Sequence, residues 1–333
     1  WSRAPVTPAN LMHAAVNGLG PRFDWLRDQH SEWRTKHMGT VLPANLEGEW
    51  QTATVAERVA ILKTLRATEP ARAEALVRST WADDAADDRK KMVDRWKDGL
   101  SIADEPFLEW ALTDRSKAVR STASALLSTL PTSKLADRML QRAVGMIQTE
   151  TAKKGLLRKQ VTTLKVEPPQ EWDESWEADG LEEKPPTGTG KRNWWLVQVM
   201  QSVSVRRLSD TLAMNIDELV TALAQSEYST SLMPALQAAA ASAADEQWCT
   251  ALLRQALAAK LAQISELAPL WRTFPAPTSE KLLLEVIANT KLRWIDRFDA
   301  LSYTNHRWSA QFSTAVFAPL PATTPVTPSD VWT

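Results

Sequence analysis

From Gln51 onward, apolar residues recur almost everywhere at i, i+3, i+4 and i+7, the spacing that lines one face of an α-helix. Val55, Val59 and Leu62 line a first face, and Glu69-Pro70 marks a turn. Ala73, Leu76, Val77 and Thr80 follow on a second helix whose first turn accommodates Pro70. After the polar break at Asp83-Asp84, a segment from Arg89 to Trp96 runs to a stop at Gly99.

The pattern is clearest between Ser101 and Arg142. Asp104 is placed to cap a helix with Pro106 in its first turn, where a missing N–H costs nothing. Phe107, Leu108, Ala111 and Leu112 form its stripe, and Asp114-Arg115-Ser116 is a tight turn. A second helix buries Val119, Ala123, Leu126, Leu127 and Leu130 and ends at Pro131. A third, starting at Thr132 or Ser133, carries Leu135, Met139, Ala143, Val144 and Ile147.

Residues 166–193 break the pattern, with prolines, glycines, many acids and no helical stripe. A stretch this long without periodicity is a functional loop or a disordered one. Helical spacing resumes from Leu196 to Val203 and again around Ile216, Leu232, Cys249, Leu267, Leu283, Ile295 and Trp308. The predicted fold is all-α: an irregular HEAT-like α-solenoid of antiparallel helix pairs with one long irregular loop. Its expected organisation is an irregular or helical segment at 1–50, helical repeats at 51–165, an acidic Pro/Gly/Trp loop at 166–193, further repeats at 194–318, and a disordered Pro/Thr tail at 319–333.

Composition narrows the function. The chain has 333 residues, and 39 Lys plus Arg stand against 40 Asp plus Glu. That balance argues against a nucleic-acid binder, whose affinity rests on a basic excess. Cys249 is the single cysteine, so no intramolecular disulfide forms and a reducing, cytoplasmic setting is expected. No apolar run is long enough to span a membrane, and the first residues lack the pattern of a signal peptide.

Catalytic and metal chemistry find little support. His13, His30, His37 and His306 make no i, i+4 pair, so no metal and no cofactor are expected. Gly188 to Lys191 reads GTGK, but a phosphate loop needs Gly where Pro185 stands and Ser or Thr where Arg192 stands. Paired acids such as Asp83-Asp84, Asp87-Asp88 and Glu182-Glu183 match no calcium loop and read as solvated helix ends. Cys249 lies on an apolar stripe and reads as packing, and no GxSxG is present. The chain is expected not to be an enzyme.

Two features point instead to binding. Arg142, Lys153, Lys154, Arg158, Lys159 and Lys165 are expected on the helix before the loop, with Lys191, Arg192, Arg206 and Arg207 after it. A nucleic-acid-binding HEAT-like protein would use this cluster at 142–165, with Lys153, Lys154, Arg158 and Lys159 on phosphates; a solvated face balanced by the acidic loop is the alternative. Tryptophan is the second feature: sixteen occur, roughly four times an ordinary share. Trp110, Trp248, Trp271 and Trp308 fall at helical apolar positions and read as core. Trp172, Trp176, Trp194 and Trp195 lie in or beside the loop, where they and Arg192 could contact a protein partner. The other reading is that the loop folds back and its tryptophans anchor it.

Three stretches carry a family resemblance: ERVAILKTLRATEPARAEALV, SIADEPFLEWALTDRSKAVRSTASALLSTLPTSKLADRM and ADGLEEKPPTGTGKRNWWLVQVMQSVSV. Together they resemble the bacterial domain-of-unknown-function family 5691, over residues 51–208 most closely. The resemblance implies an uncharacterised cytoplasmic helical-repeat protein. Its genes typically neighbour those of a MoxR-type AAA+ ATPase, a von Willebrand factor A protein and a SWIM zinc-finger protein. That setting implies a scaffold or adaptor role in an ATPase-driven assembly, and it implies no site residues. SVSVRRL, after the paired tryptophans, lacks the Pro and Trp of the family pattern.

Overall fold

Thr54 opens the first long helix with a reciprocal cap: its hydroxyl accepts from the Glu57 N–H, and the Glu57 carboxylate accepts from the Thr54 N–H at 2.8 Å. The same economy of short caps and turns organises the whole computed structural model, which describes residues 42, 45–154, 159–259, 264–290, 292–304 and 306–317. The described chain is all-α apart from one two-stranded hairpin. It forms two compact units. The first comprises residues up to Ser133 together with Glu174–Gly180, and the second comprises Lys134–Asp173 and the chain from Leu181.

In the first unit, α1 (Leu46–Thr52) precedes α2 (Val55–Thr68), α3 (Pro70–Thr80), α4 (Ala86–Val93), α5 (Glu105–Ala111) and α6 (Lys117–Ser128). Helix α1 crosses the boundary expected at residue 50, and it brings Trp50 into the core. The buried face of α2 differs from the one the apolar spacing suggests. Val55 and Val59 are only half-buried, whereas Arg58, Ile61, Leu62, Leu65 and Arg66 are buried. Two arginines thus occupy interior positions that hydrophobic spacing reads as polar.

Each buried arginine has a carboxylate. Arg58 meets Asp84 at 2.6 Å, Arg66 grips Asp104 at 2.7 and 2.8 Å, and Arg89 grips Asp114 at 2.8 and 3.0 Å. Each guanidinium also lies over a tryptophan ring: Arg58 over Trp50, Arg66 over Trp96 and Arg89 over Trp81, at 5.1–5.5 Å. Asp104 therefore does not cap α5 as expected. Its carboxylate accepts from the Ser101 N–H at 2.9 Å and neutralises Arg66, because an unpaired buried guanidinium would cost more than a lost cap. Trp96 stacks on Phe107 with centroids 4.0 Å apart, and Trp81 leans on Trp110 at 4.7 Å.

The second unit starts with α7 (Lys134–Gly145). The hydroxyl of Ser133, the residue before it, donates to the Leu127 carbonyl at 3.0 Å. Beyond Gly145 the helix expected through the basic residues gives way to β1 (Ile147–Lys154) and β2 (Lys159–Val166), paired antiparallel with Ile147 opposite Val166 and Lys154 opposite Lys159. The threonine and valine content of these segments explains the switch, since β-branched side chains are confined in a helix and fit a strand. Within 166–193, expected to lack helix, Ser175–Ala178 forms a short α8 and Lys191 begins α9 (Lys191–Ser202).

The chain continues with α10 (Val205–Thr211), α11 (Ile216–Ala224), α12 (Ser229–Ser242), α13 (Glu246–Ala259), α14 (Ala268–Trp271), α15 (Ala276–Ala288), α16 (Trp294–Asp299) and α17 (Ala310–Phe317). Helix α12 packs against α9, α11 and α13, and α11 packs on α13. Leu196, Val199, Leu219, Leu223, Leu236, Trp248 and Leu252 form the core there. Trp308, expected on a helix, lies just before α17 and is half-buried. The segment 1–41 and the tail 319–333 lie outside the described residues. Among the described residues, no helix is long and apolar enough to cross a membrane.

Candidate partner-binding groove

The loop tryptophans are mostly interior. Trp176 and Trp195 are buried, and Trp172 and Trp194 are half-buried. Trp195 donates its indole N–H to the Glu183 carbonyl at 2.9 Å and packs on Trp172 at 5.6 Å. Arg192 donates to the Pro168 and Pro169 carbonyls at 2.6 and 3.0 Å. Gln198 holds Glu182 through both its backbone groups. In the first unit, Ser124 donates to the Asp179 carbonyl at 2.7 Å and Arg120 reaches Glu177 at 2.8 Å. Within the second unit, Trp172, Trp195 and Arg192 hold the segments 168–173 and 181–195 to each other. None of these four tryptophans is among the exposed residues.

The basic residues lie on a hairpin rather than on a helix, with Lys154 directly opposite Lys159. Lys153 and Lys154 lie on β1 and Lys159 on β2, so they share no helix face, and Arg158 lies outside the described residues. The neighbouring cations are matched by acids: Lys165 with Glu167, Lys191 with Glu183, Arg206 with Asp245 and Arg207 with Asp137. The Lys165 ammonium holds the Glu167 carboxyl below its ordinary pKa. Cys249 is fully buried, and burial pushes its thiol upward, away from thiolate chemistry. Among the described residues, no group of three or more His, Cys, Asp or Glu side chains is placed to hold a metal ion.

Sequence reasoning missed the open feature of the second unit. A cavity of about 560 Å³ lies where the first turns of α11 and α13 meet, lined by Asn215, Asp217, Glu246, Gln247, Thr250 and Arg254. A second recess of about 240 Å³ adjoins it at Arg254, lined by Leu253, Leu257, Leu282 and Val286 between α13 and α15. Two side-chain bridges cross from α13 to α15 beside this groove. Arg254 grips Glu285 at 2.8 and 3.0 Å, and Thr278 donates to Glu246 at 2.5 Å. The hydrogen bonds from Glu285 raise the Arg254 pKa still further, and Asp217 adds to that field.

The helix starts are already capped. The Asn215 side-chain Oδ1 accepts from the Asp217 N–H at 2.9 Å, and the Asp245 carboxylate accepts from the Trp248 N–H at 3.1 Å. One signal for the groove was present in the sequence. Glu246, Thr250 and Arg254 are spaced i, i+4, i+8, a polar face beside the buried Cys249, Leu252 and Leu253 of the same helix.

The described residues define an all-α protein, with buried charge pairs in the first unit and an open groove along α13 in the second. The particular family is shown by a family model, described as a family of unknown function (DUF5691), that matches residues 6–333. The chain belongs to that family. Comparison with curated proteins and with solved structures gives no match.

Proposed function

We propose that this chain is a non-catalytic, HEAT-like helical-repeat scaffold that binds protein partners. The observation that supports it is the series of buried Arg58–Asp84, Arg66–Asp104 and Arg89–Asp114 pairs, joining residues 26, 38 and 25 positions apart. They recur along successive helices, as bracing does in stacked repeats, and each spends a buried charge on holding the scaffold. A braced unit presents its surface without large rearrangement, and the second unit offers a groove along α13. Partner identity follows the family resemblance: a MoxR-type AAA+ ATPase, a von Willebrand factor A protein and a SWIM zinc-finger protein in one cytoplasmic assembly.

The test is co-purification of the tagged full chain with each of these three proteins. Retention of at least one, at stoichiometric level in solution, is expected. If none is retained and the chain instead shifts DNA or RNA at low salt with a steep salt dependence, the nucleic-acid reading replaces this one.

A further inference from the structure

Resting on the scaffold reading, we propose that the groove along α13 seats a basic amphipathic segment of a protein partner. Lysine or arginine side chains would enter the cavity at Asp217 and Glu246, and a leucine-class side chain would enter the recess beside Leu257.

Charge decides the polar end. Asp217, Glu246 and Glu285 place three carboxylates around the single guanidinium of Arg254, and Arg254 is committed to Glu285 through two hydrogen bonds. Arg206, the next cation, is committed to Asp245 and Gln247. Asp217 and Glu246 are both exposed; Glu246 accepts a hydrogen bond from the neutral Thr278 hydroxyl, and among the described residues neither is matched to a cation within salt-bridge distance. An anion would be expected at two converging helix starts, but Asn215 and Asp245 already take N–H groups there, and Asp217 and Glu246 stand in the first turns. The site therefore favours a cation.

Continuity decides the size of the occupant. From Glu246 to Ala258 the groove follows α13 for roughly 18 Å, at about 1.5 Å per residue. A small polycation would use only its first third. Leu257 is half-buried in the far part and Ala258 is exposed beside it, above the buried Leu253, Leu282 and Val286, so the recess there suits an apolar side chain. A short helix with cations at one end and leucines along one face complements both parts.

The experiment uses the full chain and a fluorescein-labelled twelve-residue peptide with leucines at helical spacing and lysines at one end. Fluorescence anisotropy is expected to show saturable binding to the wild type. The same peptide with glutamates for lysines should not bind. Asp217→Asn with Glu246→Gln should weaken the lysine peptide about tenfold, and Leu257→Asp by a similar factor. Asp217→Lys with Glu246→Lys should reverse the preference between the two peptides, which a variant that merely misfolds could not do. No binding, or binding insensitive to these changes, overturns the proposal. Displacement by spermine with full sensitivity to Asp217→Asn but none to Leu257→Asp overturns the peptide occupant in favour of a small polycation. If co-purified partners persist with the Asp217→Asn, Glu246→Gln variant, this inference fails while the scaffold reading stands. If no partner binds the wild type, the scaffold reading itself fails.

Discussion

Arg89 and Asp114 face each other side-on in the interior, Nε to Oδ2 at 2.8 Å and Nη2 to Oδ1 at 3.0 Å, with both side chains almost fully removed from solvent. Asp114 also accepts from the Ser116 N–H at 2.7 Å, and Arg120 donates to the Asp114 carbonyl at 2.9 Å. One carboxylate thus shapes the turn between α5 and α6 while tying it to α4. Asp114→Ala should lose about 3–5 kcal/mol in urea unfolding, because it strands a buried guanidinium. The double change Arg89→Met, Asp114→Leu should lose clearly less, since it removes both charges.

The same residue sets an acid dependence. Burial works to raise the Asp114 pKa, but hydrogen bonds from Arg89 and the Ser116 N–H outweigh it, and the carboxyl is held below its ordinary value. A lowered folded-state pKa gives stability that is fully present above the unfolded value and is lost as pH falls through the folded one. Unfolding free energy should therefore drop below about pH 4. In Asp114→Asn that part of the fall should be missing, while the slope at neutral pH stays unchanged.

Gly180 has φ +83°, and a Cβ there would stand 2.7 Å from the Ser124 Cβ. Gly188 has φ +87° but open space around it. Gly188→Ala should cost about 1–2 kcal/mol for the left-handed backbone alone. Gly180→Ala should cost measurably more in the same thermal or urea assay. Equal losses would mean that the Ser124 contact yields freely.

Trp176 is 7% exposed, whereas Trp172 is half-buried. Trp176→Ala should lower stability by about 3–5 kcal/mol, as loss of a large buried side chain does, and Trp172→Ala by less. If instead Trp176→Ala left stability intact and removed partner binding, the loop would be a recognition element after all.

Glu280 holds the start of α17, accepting from the Ser309 N–H and hydroxyl, both at 2.7 Å, with His306 at 3.5 Å. The Ser309 hydroxyl, then its N–H, hold the Glu280 carboxyl below the ordinary range. Amide exchange over residues 310–317 should accelerate as pH falls through that lowered pKa, after correction for intrinsic rates. Glu280→Gln should show faster exchange already at neutral pH and no such acid step.

Much of the helix layout was legible, and particular residues show why. Gly99 sits at φ +70° where a helix stop was expected, and Pro70 opens α3. Asp114 and Arg120 hold the turn that their spacing suggests. Local rules suffice there, because a cap or a turn is decided within four residues. The hairpin at 147–166 reads in sequence as a continuation of the helix, because Ile147 extends the apolar stripe of α7 by spacing, while the residues after it favour strand. Of the groove, only the polar face of α13 could be read. Its walls come from Asp217, Leu282 and Glu285, on helices about thirty residues to either side.

The sequence by itself determined an all-helical chain, because apolar spacing, caps and helix formers agree with one another locally. It also determined the family, through long ordered stretches of residues. Tertiary structure alone decided where the charges go. Arg66 and Asp104, 38 residues apart, are each hostile to an interior, and only as a pair can they enter one. Trp176 and Trp195 were equally ambiguous, because a tryptophan beside a proline-rich loop is an anchor or a contact depending on what folds over it. In the second unit Trp195 packs on Trp172 and bonds to Glu183, while Trp176 is buried in the first unit.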